Sequence, residues 1–174
     1  MHRALFNPGE QVGEREPDRV QPGLIRVEAD ELTYSLHVIL RFELEQALMS
    51  GALKADDVPA AWSDTLHGLL GVRPSGDDRG CLQDVHWPEA LFGYFPCYSL
   101  GAMYAAQWFA TMRRGQSDLD ACIARGELTP VFDWLRENIW LQASRWDTNE
   151  LSRRASGELL NPAHFRAHLE SRYL

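Results

Sequence analysis

Leu32, Leu36, Ile39, Leu40, Leu44, Ala47 and Leu48 recur at three- and four-residue steps, and nothing else in the sequence constrains the fold as strongly. Apolar side chains at that spacing line one face of a 3.6-residue helix. A long amphipathic helix is therefore predicted from Glu28 to a stop at Ser50-Gly51. Glu31, Arg41 and Glu45 fall between the apolar positions, and Arg41 with Glu45 reads as an i,i+4 ion pair.

The rest of the chain repeats this grammar. A second helix is predicted over Asp57 to Leu70, capped by Asp56 or Asp57 with Pro59 in its first turn, and a third over Ser99 to Arg114, ending at Gly115. Shorter ones follow at Asp118 to Ala124, Thr129 to Gln142 and Thr148 to Ser156, the last stopped by Gly157. The final helix starts with Asn161 as cap and Pro162 at the first position, and runs to Arg172. No segment alternates apolar and polar residues with β-branched enrichment. The expected class is all-α and bundle-like, with no internal repeat. Asn7 to Gly23, rich in Pro, Gly and charge, has no period, so residues 1–23 read as an extended or disordered leader before a helical domain at 24–174.

Charge excludes one class of partner. Seventeen basic residues against 25 acidic leave a net charge of -8, a field that repels phosphate backbones, so no nucleic-acid partner is expected. The most apolar stretch, Phe92 to Ala110, is broken by Pro96, Gly101 and Gln107, and no membrane span or signal peptide is expected. Cys81, Cys97 and Cys122 form no CxxC pair and read as free thiols, which fits a cytoplasmic location.

Residues with chemistry gather in two stretches. Leu24 to Tyr34 (LIRVEADELTY) brings Arg26, Glu28, Asp30 and Glu31 to the start of the main helix. Acidic residues there favour the helix dipole without further purpose. Arg26 and Asp30, four apart, would share a face within a helix, and a guanidinium held there suits a carboxylate. The second stretch, GCLQDVHW (Gly80 to Trp87) leading to FGYFPCY (Phe92 to Tyr98), interleaves Gln83, Asp84, His86, Tyr94 and Tyr98 with Trp and Phe. Such a loop either lines a pocket or holds a structural His against a neighbouring Asp, with aromatics filling core. His164 and His168 stand four apart, but no Glu follows the first, so they read as surface residues rather than zinc ligands.

IRVEADELTY resembles the IRxxADE motif of the carboxypeptidase Taq family of zinc metallocarboxypeptidases, and GCLQDVHW resembles its GxxQDxHW motif. The likeness continues through FGYFPCYSLGAM and SGELLNPAHFRAHLESRYL, from about Val20 to Leu174, and corresponds to the C-terminal third of such an enzyme. It implies an elongated, grooved, nearly all-helical body that removes single residues from peptide C-termini. It also implies a zinc ion held by HExxH and a downstream HESQ, both preceding IRxxADE. Neither string occurs in this sequence, so no metal ligand and no cofactor are expected in the chain itself, and it is expected to be inactive alone. By resemblance, Arg26 positions the substrate's terminal carboxylate, Asp30 and Asp84 brace neighbours, and His86, oriented by Asp84, and Tyr94 donate to the developing oxyanion. Gln83 and Tyr98 line the groove. Where the family has HxxG, this chain has Trp140-Leu141-Gln142-Ala143.

Peptide is the implied substrate, with a homo-oligomer or pairing with the missing N-terminal part as the implied assembly. The alternative is a non-catalytic helical module, with Phe92, Tyr94, Phe95, Tyr104 and Trp108 exposed for association with peptides or a full-length homologue.

Overall fold

The structure is a computed structural model that describes residues 20–174. The leader expected at 1–23 falls almost wholly outside the described residues. Seven helices are described, α1 Glu31–Met49, α2 Val58–Leu70, α3 Pro96–Gly115, α4 Leu119–Ala124, α5 Thr129–Asn138, α6 Thr148–Ser156 and α7 Ala163–Tyr173. No strand occurs among the described residues, so the all-α expectation holds.

The long periodic segment is α1, and it packs against both α2 and α3. Its core face meets α2 through Leu40, Leu44, Trp62, Leu66 and Leu70, all buried. Each such side chain contributes about 1.5–3 kcal/mol by leaving water. The helix begins three residues later than the spacing suggests. Asp30 accepts from the Thr33 amide at 2.8 Å and caps it. Arg26–Glu28 instead forms a separate 3-10 turn.

Other boundaries differ for local reasons. α2 follows a 3-10 turn at Ala55–Asp57, and the Asp57 side chain makes no capping bond. α3 opens at Pro96, whose fixed φ suits a first helical turn. α5 stops at Asn138, because Ile139 turns to φ -120°, ψ -64° and a 3-10 turn at Trp140–Gln142 follows. In α7 the Asn161 carboxamide accepts from Ala163 N at 3.0 Å, with Pro162 just outside the helix.

Arg41 and Glu45 are not partners. Arg41 is fully buried and Glu45 nearly so, and each reaches out of α1 to the long loop between α2 and α3. The aromatic surface also differs from expectation. Phe95 is buried among Trp87, His86 and both buried arginines, whereas Phe92 and Tyr94 are exposed and Tyr104 and Trp108 half-buried. Cys81, Cys97 and Cys122 are free thiols.

Candidate functional site

The two motif stretches, far apart in sequence, meet on α1. Arg26 sits in the 3-10 turn that enters the helix and is 5% exposed. A guanidinium so buried requires a counter-ion, and Asp84 provides one. Arg26 Nε and Nη2 donate to Asp84 Oδ1 at 3.1 and 2.8 Å, and Nη1 donates to the Tyr34 hydroxyl at 2.7 Å. From α1 Arg41 donates to the other carboxylate oxygen, to Gln83 Oε1 at 2.8 Å and to the His37 carbonyl at 2.7 Å. Two guanidiniums thus share one carboxylate.

Gln83 closes the joint. Its Oε1 also accepts from the Arg26 amide at 2.9 Å, and its Nε2 donates to the Leu24 and Gly80 carbonyls, each at 3.1 Å. Arg26 lies under the Tyr98 ring at 4.8 Å and Arg41 under Trp62 at 4.6 Å, so aromatic faces cover what the carboxylate does not. Burial pushes the Asp84 carboxyl up, but hydrogen bonds and charge from Arg26 and Arg41 outweigh it and hold it below its ordinary value. Burial lowers Arg41 to about 10, which leaves it cationic at neutral pH.

His86 stands beside this cluster, not in it. Its Nδ1 is 3.9 Å from Asp84 Oδ1, too far for a hydrogen bond, so Asp84 does not orient it as the sequence suggested. Both oxygens of that carboxylate are committed to arginines. Tyr98 takes the orienting role instead, with its hydroxyl 2.9 Å from His86 Nε2. The ring stacks near Phe95 at 4.3 Å and Tyr94 at 5.6 Å. Burial lowers the His86 pKa, Asp84 opposes this, and Arg26 and Arg41 add to it, so the ring is neutral at pH 7. Its Nδ1 is buried with no partner among the described residues. The arrangement offers a neutral imidazole and two tyrosines beside a buried joint of two guanidiniums and one carboxylate.

Asp30 does not share a face with Arg26. Besides the Thr33 amide it takes the Thr33 hydroxyl at 2.9 Å and the Gln21 amide at 3.0 Å, which makes it a helix cap. Burial alone would raise its carboxyl, but those hydrogen bonds hold it below its ordinary value. His164 and His168 lie on α7 and pair with different carboxylates, Glu158 and Glu31, each at 2.7 Å. No three His, Cys, Asp or Glu side chains form a metal-holding group among the described residues.

Three contributors escaped the sequence reading: Arg41, Tyr34 and Glu45. Arg41 carried a usable signal. It stands beside Leu40 and one turn from Leu44 on the apolar face, and a charge placed there needs a partner from another element.

The two motifs are joined on an all-helical frame, and comparison with known proteins assigns the family. The chain belongs to the carboxypeptidase Taq (M32) metallopeptidases, whose family pattern matches residues 14–173. Thermostable carboxypeptidase 1 of Thermus thermophilus is 46% identical over 154 residues, covering 88% of this chain and 30% of its own length. Among solved structures, metallocarboxypeptidase 1 of Trypanosoma cruzi superposes with a TM-score of 0.85 at 50% identity, covering 90% of this chain and 33% of that one. The M32 carboxypeptidase of Deinococcus radiodurans gives 0.85 at 39% identity over 91% of this chain and 32% of its own. The chain spans about a third of the length of these relatives.

Proposed function

We propose that this chain forms the substrate-groove side of a zinc metallocarboxypeptidase acting on peptide C-termini, and that the chain alone does not hydrolyse peptides. The observation that carries the reading is the sharing of Asp84 by Arg26 and Arg41, which leaves one positive charge in excess at the joint. A peptide's terminal carboxylate is drawn to such a surplus. His86 and Tyr94 donate to an oxyanion, Gln83 and Tyr98 line the groove, and Asp84 and Asp30 hold the frame. Such donors stabilise developing charge without performing the attack, so hydrolysis needs a zinc-activated water that these residues do not supply. In this reading the chain works in a reducing, cytoplasmic setting, and its helical domain starts at residue 24.

The test is zinc content and C-terminal hydrolysis by the purified chain, alone and mixed with a full-length homologue. No metal, no hydrolysis alone and an altered homologue rate on mixing is the expected result. Stoichiometric zinc with hydrolysis by the chain alone would refute it.

One observation favours a second reading, a non-catalytic interaction module. Leu82, Val85, Phe132, Trp140 and Leu141 are all more than half exposed, an unusual amount of large apolar surface to leave in water. Under this reading the chain binds a second copy or a full-length homologue. Sedimentation velocity over a concentration series then shows association, whereas a monomer throughout counts against it.

A further inference from the structure

Tyr94 is the most exposed member of the aromatic cluster, at 45%, and belongs to a turn rather than a helix. Such a side chain moves freely unless its backbone is fixed. The turn is held at both ends. On one side the Leu91 amide donates to the His86 carbonyl at 2.8 Å, and on the other Tyr94 O accepts from Cys97 N at 3.0 Å as α3 begins. Between them lies Gly93, exposed and at φ 79°, a left-handed conformation that glycine adopts freely. Its amide donates to Glu45 Oε1 at 2.7 Å.

Glu45 is 4% exposed and stands four residues after Arg41 on α1. The two side chains leave one rigid helix about 6 Å apart along its axis. Arg41 grips the loop at Gln83 and Asp84, and Glu45 grips it at Gly93. His86 lies between the two grips, with Tyr94 just beyond the second. The His86 and Tyr94 rings sit 5.6 Å apart and those of Tyr94 and Tyr98 5.5 Å apart. This one bond is the point at which α1 holds the Gly93 end of the loop.

We propose that Glu45 is a positioning residue that holds the Phe92–Tyr94 turn on α1 and so sets where Tyr94 stands relative to His86. The proposal rests on the groove reading for its use in peptide binding, but not for the positioning itself. Two variants separate acceptor from volume. Glu45→Met keeps the length of the side chain and removes the acceptor, while Glu45→Gln keeps a neutral acceptor. Both are checked for folding by thermal melting. The readouts are the aromatic NMR signals of Tyr94 and His86, assigned with Tyr94→Phe, and amide exchange at Gly93. The probe is an N-blocked tripeptide with a free C-terminal carboxylate.

In Glu45→Met the Tyr94 and His86 signals shift and Gly93 exchanges faster, and Glu45→Gln restores most of both. Tripeptide affinity falls about tenfold in the Met variant, the equivalent of one lost hydrogen bond, with partial rescue by Gln. Wild-type signals and exchange in a folded Glu45→Met overturn the proposal, as does a shift in Glu45→Gln equal to that in Met. A tripeptide that never binds the parent, with ring signals still responding to Glu45→Met, supports the positioning and removes the groove reading.

Discussion

Asp84 bears more of the structure than any other single side chain in the site. It pairs with two guanidiniums, one of them fully buried and the other 5% exposed. Asp84→Asn keeps the shape and removes the charge, which leaves both cations uncompensated away from water. Breaking a buried pair in this way costs about 3–5 kcal/mol. Urea unfolding of the variant is expected to show that loss, and a change under about 1 kcal/mol would mean water or another anion serves the arginines. Ala143 presents the opposite case. At φ 45°, ψ -131° it occupies backbone space that is essentially glycine's. Ala143→Gly is expected to stabilise the chain by about 1 kcal/mol, or about 2–4 °C in Tm. An unchanged or lowered Tm from scanning calorimetry would show that the surroundings already favour Ala.

Elements were legible in the sequence where periodicity and punctuation agreed. α6 was legible to the residue because Gly157, at φ 87°, ends it in a left-handed turn, and the structure adds Asp147 as its N-terminal cap. α1 and α2 were legible from their apolar stripes. The C-terminal end of α5 was not, since a 3-10 turn continues the same sequence character past Asn138. The site was legible as two motifs but not as a joint. Local spacing offered Arg26 to Asp30 and Arg41 to Glu45, whereas both arginines pair with Asp84, a contact that no window of sequence contains. Gln107 is a similar case on α3. It was read as an interruption in an apolar run, yet it is fully buried and clasps the α6–α7 junction. Its Nε2 donates to Ser156 Oγ at 2.7 Å and the Leu159 carbonyl at 3.0 Å, and its Oε1 accepts from Asn161 N at 2.8 Å. Gln107→Leu strands those groups and is expected to cost about 2–3 kcal/mol. Hydrogen exchange should then rise across residues 157–173 more than in α1 or α2. A uniform rise over all helices would instead mean that α3 packing, not the clasp, was lost.

At the scale of the whole molecule, the buried ionisable groups make stability depend on pH in one direction. His37, on α1, is fully buried with neither ring nitrogen bonded. Burial lowers its pKa to about 4, with the charges of Arg41 and Arg26 adding to the shift. A histidine freed by unfolding titrates near 6.5. Between those values the unfolded chain binds a proton that the folded chain refuses, so stability is full above pH 6.5 and falls as pH drops towards 4. The loss attributable to His37 is on the order of 3 kcal/mol. His86, also held below its ordinary value, adds in the same direction. Asp84 and Asp30 follow at lower pH. Their folded pKa values lie below the ordinary 3.8, so their contribution persists above that value and disappears as pH falls through the folded ones. Urea midpoints are therefore expected to stay level from pH 7.5 to about 6.5 and to decline from there to pH 4. His37→Leu removes a group that bonds to nothing and should flatten most of the decline, with little change in the midpoint at pH 7.5. A variant that keeps the wild-type slope would place the proton uptake on other residues, and the buried neutral state of His37 would then contribute nothing to acid sensitivity.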